Sequence, residues 1–150
     1  FSACLFAVRS GSIDAVKALL EAGADVNDTL SDGSSAIVVA AANAHWELAS
    51  LLLDRGADPN LAGAGWTALH QAVRIRRPNI GFGTPGPIAT GTVDSLEVIK
   101  KMIARGANVN ARMSRNGMKD GQRNRLNRLG ATPFLAIGIL APCRLPAGRR

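Results

Sequence analysis

The 150-residue sequence predicts an all-α solenoid of stacked helix-turn-helix repeats, and three periodic features carry that prediction. The first is a segment, Gly23-Ala24-Asp25-Val26-Asn27, that returns 33 residues later as Gly56-Ala57-Asp58-Pro59-Asn60 and 50 residues after that as Gly106-Ala107-Asn108-Val109-Asn110. The second is an apolar stripe at helical spacing before each copy: Ile13, Val16, Leu19 and Leu20; Trp46, Ala49, Leu52 and Leu53; Leu96, Ile99, Met102 and Ile103. The third is a hydroxyl residue followed by a small residue or proline ahead of each stripe: Ser2-Ala3, Ser35-Ala36, Thr67-Ala68 and Thr132-Pro133.

Each unit then reads as a turn, a short helix and a long helix. The hydroxyl residue is an N-cap, and the small residue or proline after it takes the first helical position. Ala7, Ala40, Ala72 and Ala136 fall at equivalent places on the short helices and let neighbouring helices approach closely. The long helices are expected over 13–22, 46–55 and 95–105. Gly23, Gly56 and Gly106 follow them where a helix needs a left-handed residue to stop.

Taken together, Gly65-Trp66-Thr67-Ala68-Leu69-His70, Gly130-Ala131-Thr132-Pro133-Phe134 and the Gly-Ala-Asp-x-Asn segments resemble the ankyrin repeat, and in phrasing the bacterial members more than the cytoskeletal ones. The resemblance covers residues 1 to about 111 and resumes from 129 to about 140. It implies a curved solenoid with β-hairpin-like turns over 1–140, with repeats at about 1–27, 28–60, 61–110 and a truncated one at 111–140, followed by an irregular tail at 141–150. It also implies that His70 ties adjacent turns together by hydrogen bonds.

Departures from the family pattern are local. Repeat 2 has Ala44 where a glycine usually separates the helices and Val38 where a histidine usually stands, which weakens capping and hydrogen bonding there. Repeat 3 carries an insertion of about 18 residues between its helices, a loop by its content of Pro78, Gly81, Gly83, Pro85, Gly86, Pro87 and Gly91. A second insertion precedes repeat 4, where Asn110 to Gly130 spans 20 residues against 6 for Asn27 to Gly33. It holds Arg112, Arg115, Lys119, Arg123, Arg125 and Arg128, and is expected to bind acidic surfaces weakly and in a salt-dependent way if it binds at all. The apolar Phe134, Leu135, Ile137, Ile139 and Leu140 would form a short helix with no long helix to cover it. Without an initiating Met, and with Phe1 opening straight into a helical segment, the chain reads as an excerpt of a longer protein.

The charge of +7 is confined to one end: residues 1–111 carry 9 Lys/Arg against 10 Asp/Glu, and residues 112–150 carry 9 against 1. Cys4 and Cys143 are too isolated for a metal site, and Cys4, in the place of a short-helix leucine, reads as a small buried hydrophobe. No apolar run is long enough to cross a membrane. Gly81-Phe82-Gly83-Thr84-Pro85-Gly86 spells a dinucleotide fingerprint, but Arg76, Arg77 and Pro78 make no strand before it and Pro85 and Pro87 obstruct a helix after it. Asp25 and Asp58 share their position with Asn108, so that position does not demand a carboxylate. Asp14, Glu47 and Glu97 suit the helix dipole near the starts of the long helices. Trp46 lies in an apolar stripe and belongs to the core, whereas Trp66 either packs against the neighbouring turn or contacts a partner.

These residues compose no catalytic, cofactor or metal site. A solenoid offers an extended surface in place of a water-excluding pocket, so the expected function is a protein-interaction module that docks another protein on its concave face. Positions without structural duty supply the candidate contacts: Trp66, Arg74, Asn43, Arg9, Ser34 and Ser10. The expected particle is a monomer apart from its exposed truncated end. Besides a purely structural spacer, two rival classes stand beside this reading. One is a regulatory or targeting segment of a larger enzyme whose catalytic domain lies outside the chain. The other is binding of acidic surfaces or nucleic acid through the basic loop 112–128, which lacks aromatic residues for stacking.

Overall fold

The computed structural model describes residues 2–76, 87–115 and 129–134. Six helices follow in chain order within them: α1 (Ala3–Ser10), α2 (Ile13–Glu21), α3 (Ala36–Ala42), α4 (Trp46–Asp54), α5 (Ala68–Arg76) and α6 (Ser95–Ala104). An antiparallel bridge between Thr29 and Ser35 closes the hairpin-like turn ahead of α3. The segment 81–86, most of the basic insertion (116–128) and everything after Phe134, including most of the truncated short helix, lie outside the described residues.

The helices are the expected pairs. α2, α4 and α6 each stop one residue before the boundary read from sequence, because Ala22, Arg55 and Arg105 have already turned out of the helix as C-caps. Each is followed by a glycine with φ near +90°: Gly23 at 92°, Gly56 at 89° and Gly106 at 87°. The glycine N–H and the next N–H then fold back onto the last turn, as Gly56 to the Leu53 carbonyl at 3.2 Å and Ala57 to that of Leu52 at 2.9 Å. Carbonyls that the helix end would otherwise leave unpaired are satisfied in this way in all three repeats.

The short helices α1, α3 and α5 pack in series as one layer, each long helix lies against its own short helix, and α4 lies against α6. The insertion between α5 and α6 does not separate them. Burial follows from having neighbours on both sides: α4 buries Trp46, Leu48, Ala49, Leu52 and Leu53, whereas α2 in the first repeat buries only Val16. Cys4 is buried as expected, and its thiol is pushed up by that burial and then by the Asp28 carboxylate. Across the long-helix layer Lys101 Nζ reaches Asp54 at 2.6 Å and Ser50 Oγ at 2.7 Å, Arg105 reaches Asp54 at 3.1 Å, and Arg55 reaches Glu21 at 3.4 Å. These pairs are exposed, so each contributes less than about 1 kcal/mol, though the Lys101 hydrogen bond lowers the Asp54 carboxyl.

Ala44 replaces a glycine and still adopts the glycine's conformation. Its φ is +58°, against +74° for Gly11 at the same place in repeat 1, and its N–H and that of His45 fold back onto Ala41 and Ala40. The left-handed backbone costs about 1–2 kcal/mol for a residue with a Cβ. Burial of the methyl among the core residues offsets part of that.

Successive turns touch backbone to backbone. A Cβ placed on Gly33, whose φ is +86°, would stand 2.5 Å from the Gly63 carbonyl carbon of the next turn, whereas one placed on Gly56 meets nothing within 4 Å. Gly56→Ala is therefore expected to cost only the left-handed backbone, about 1–2 kcal/mol. Gly33→Ala should cost at least about 1 kcal/mol more, because backbone cannot yield as a side chain can. Urea unfolding of the two variants measures the difference; equal losses would show that the turns are free to separate.

Candidate functional site

The face available for binding is set by what holds the turns in place. In each Gly-Ala-Asp/Asn-x-Asn segment the third residue accepts the N–H two residues on: Asp25 from Asn27 at 2.8 Å, Asp58 from Asn60 at 2.8 Å and Asn108 from Asn110 at 2.9 Å. An amide oxygen serves as well as a carboxylate, which is why Asn108 substitutes freely. The fifth residue reaches into the next repeat. Asn27 Oδ1 accepts the Asp58 N–H at 2.8 Å, Asn60 Oδ1 accepts that of Asn108 at 2.7 Å, and Asn60 Nδ2 donates to the Gly106 carbonyl at 2.9 Å. A ladder of side-chain amides thus joins the bases of consecutive repeats. The recurrence of the asparagines was visible in sequence, but their partners lie 31 and 48 residues away and needed the stacking to be known.

His70 is wholly buried and joins two turns, as the resemblance implied. Its Nδ1 takes the Thr67 N–H at 3.2 Å and lies 2.9 Å from the Thr67 hydroxyl, while Nε2 donates to the Ala131 carbonyl at 3.1 Å. That bonding requires the neutral ring with its proton on Nε2. Burial accordingly lowers its pKa, against the opposing pull of the Ala131 and Ala111 carbonyls. Repeat 2 has Val38 three residues after Ser35, where repeat 3 has His70 three after Thr67. The buried Ser35 hydroxyl consequently has no partner.

The return limb of the first insertion docks on repeat 2. Thr90 N–H donates to the Ala44 carbonyl at 3.3 Å, and the His45 imidazole lies between the Thr90 hydroxyl at 2.9 Å and the Arg9 carbonyl at 3.3 Å. Glu47 Oε1 accepts from Thr92 N–H at 2.9 Å and from its hydroxyl at 3.0 Å, and these bonds lower the Glu47 carboxyl. His45 and Glu47 therefore fasten the insertion, in addition to their places at the start of α4. The second insertion rises from a stem in which Met113 N–H donates to the Ala131 carbonyl at 3.0 Å, Gly130 N–H to the Met113 carbonyl at 2.8 Å, and Ser114 N–H to the Gly65 carbonyl at 2.9 Å.

The six candidate contact residues are placed unequally. Arg9 and Ser10 are exposed at the end of α1, the Ser10 hydroxyl donating to the Ala7 carbonyl at 3.0 Å. Asn43 caps α3 and is half-buried, with Nδ2 on the Val39 carbonyl at 2.9 Å. Arg74 is half-buried on α5, its Nη1 on Gln71 Oε1 at 3.2 Å. Trp66 is half-buried and packs against the core with its indole N–H buried and without a partner. Ser34 is buried, and its side chain presents little surface. Arg9, Asn43 and Arg74 all fall at the C-terminal ends of successive short helices, whereas Trp66 and Ser34 belong to the turns at the opposite ends.

Residues 4–80 match a family model described as ankyrin repeats in three copies, and residues 64–114 match one described as an ankyrin repeat. No curated protein matches the chain. Among the described residues no helix is long and apolar enough to cross a membrane.

The neutral His70 gives stability a defined pH dependence. Its folded pKa lies below the ordinary 6.5, so below that pH the unfolded chain takes up a proton that the folded one refuses. Its contribution is complete above pH 6.5 and is lost progressively as the pH falls from there toward the folded pKa. The urea midpoint should fall over that window in the parent and fall less in His70→Gln; parallel profiles would rule out His70 as the source. At neutral pH, Thr67→Ala should cost about 1–2 kcal/mol, while Ser35→Ala, which removes an unpartnered buried hydroxyl, should change stability by less than about 0.5 kcal/mol.

Proposed function

As the chain belongs to the ankyrin-repeat family, a family of protein-interaction modules that are typically non-catalytic, we propose that it docks a protein partner on the face formed by its short helices and turns. The observation that carries this reading is the division of duty along each repeat. Glycines, asparagines and apolar stripes are consumed by the stacking, through the ladder at the turn bases, the folded-back helix ends and the buried faces of α3 and α4. The ends of the short helices are less committed, with Asn43 capping α3 and Ile75 packing against the core, and they change from repeat to repeat: Arg9-Ser10, Ala42-Asn43 and Arg74-Ile75. A rigid frame with variable side chains at fixed spacing recognises a surface without having to be ordered by it.

Within this reading Arg74 and Trp66 are the anchors, beside Asn43, Arg9 and Ser10, while the buried Ser34 supports the turn behind them. Arg74 brings a planar cation held in place by Gln71, and Trp66 brings a large apolar ring of which only part is used in packing. The reading treats the protein as a non-enzyme and leaves any catalysis to other chains.

A partner captured by pull-down with the full-length protein provides the test. Trp66→Ala and Arg74→Ala should each weaken its binding by about 1–3 kcal/mol, with circular dichroism showing that the helices are retained. Because Trp66 also packs against the core, Trp66→Phe is the companion variant that keeps most of that packing. Undiminished affinity in folded Arg74→Ala and Trp66→Ala proteins would move the contact off this face.

A further inference from the structure

The last long helix, α6, turns outward a face that its counterpart in the repeat before keeps covered. The repeat register pairs Trp46, Leu53 and Pro59 with Leu96, Ile103 and Val109, each 50 residues on. The first three are buried, Trp46 to 3% and Leu53 to 1% exposure, because the following repeat lies over them. Leu96, Ile103 and Val109 are exposed by 40%, 47% and 46%, no long helix following α6 among the described residues. The end of a solenoid is ordinarily polar, since an apolar end invites a further layer.

The charges on α6 decide what kind of layer fits. At the inner joints an acid at the end of one long helix pairs with cations of the next: Glu21 with Arg55, and Asp54 with Lys101 and Arg105. Where α2 and α4 have those acids, α6 has Ala104. A second copy stacked head to tail would present α2, which has Ala18 and Ala22 in place of Lys101 and Arg105, so both sides of such a joint would lack its pair. The face carries instead Glu97 and Lys100, which are exposed and, among the described residues, take part in none of the ion pairs. At 3.6 residues per turn Leu96 and Ile103 lie about 20° apart around the helix, with the half-buried Ile99 on one flank and Lys100 and Glu97 on the other. A two-fold axis passing between Ile99 and Lys100 turns this face onto itself. It sets Leu96 of each copy against Ile103 of the other and brings the two Ile99 side chains together. On the opposite flank it leaves Glu97 of each copy about 3 Å along the helix axis from Lys100 of the other, within reach of an ion pair.

We propose that this face is the interface of a two-fold dimer, in which α6 packs antiparallel on α6 of a second copy of the chain. Every contact is then made twice, as in any isologous interface, and the apolar centre is flanked by a pair of Glu97 to Lys100 bridges. The dimer uses the long-helix layer alone and stands independently of the docking of a protein on the short helices and turns.

Sedimentation equilibrium of the 150-residue chain is the test. The expected result is a dimer at about 100 µM that dissociates on dilution, as suits a small interface of one helix a side. Ile103→Lys, at an exposed position, should raise the dissociation constant at least about tenfold with the circular dichroism spectrum unchanged, whereas Ile88→Lys, at an exposed apolar residue away from α6, should leave it as it was. Glu97→Lys sets like charges against Lys100 of the other copy and should weaken the dimer. Glu97→Lys/Lys100→Glu exchanges the two signs within the same geometry and should restore it. A monomer at about 100 µM, a dimer indifferent to Ile103→Lys, or a mass that climbs past the dimer with concentration overturns the proposal. So does failure of the double variant to recover what Glu97→Lys loses, since the two-fold arrangement is what places those residues opposite each other.

Discussion

A helical pair of some 20 residues cannot bury its own apolar stripes, so the whole structure depends on each repeat being held at a fixed offset from the next. Apolar contact alone would not fix that offset, since alanine-rich faces such as that of α3 can slide. The directional part comes from Asn27 and Asn60, whose amides bond to the N–H groups of Asp58 and Asn108, and from His70, whose ring spans from Thr67 to Ala131. Hydrogen bonds of this kind are modest in net energy; those of the asparagines are exposed, whereas those of His70 are buried and expensive to leave unmade. They convert a stack of helices into a stack with a single register.

Where that system is incomplete, the chain shows how much slack it tolerates. Repeat 2 lacks the histidine that would engage Ser35, and it holds Ala44 in a glycine's conformation. It is nevertheless the repeat with the most buried long helix, covered on both sides by neighbours. The return limb of the first insertion adds bonds to that same repeat, through Thr90 on Ala44 and His45 and through Thr92 on Glu47. Gly91, between the two threonines, comes so close to Glu47 that a Cβ there would collide with the carboxylate. An insertion that would only lengthen a loop in an isolated helical pair is thereby tied to the adjacent repeat.

What the sequence made legible is what repeats. The three glycines after the long helices and the hydroxyl residues before the short helices recur in register and stand where expected, and the stripes of the first two long helices face the core, whereas Leu96 and Ile103 of the third are exposed, no long helix following it among the described residues. Even the boundaries missed by only one residue, because Ala22, Arg55 and Arg105 are ordinary helix formers whose exit is dictated by the glycine that follows. The contacts of the insertions were not legible. Thr90 and Thr92 find their partners 45 residues back in sequence, and nothing periodic marks them. The orphaned Ser35 hydroxyl was half visible, since Val38 stood out as a departure, but its consequence followed only from seeing what His70 does for Thr67. Trp66 was balanced between packing and recognition, and the buried indole N–H shows that packing claims at least one edge of the ring.

The same division explains why the binding surface is harder to read than the frame. A residue that serves the stack is constrained by geometry in every repeat and so announces itself by recurring. A residue that serves a partner is constrained only once, by a molecule outside the chain, and its signature is irregularity at a regular position. Arg9, Ala42 and Arg74 share one such position, and Ser10, Asn43 and Ile75 the next. The fold does not leave the cations of the short-helix layer unbalanced, since Arg76 pairs with Asp94 at 3.3 Å, so it is irregularity at a regular position, and not charge, that marks these residues out from the frame.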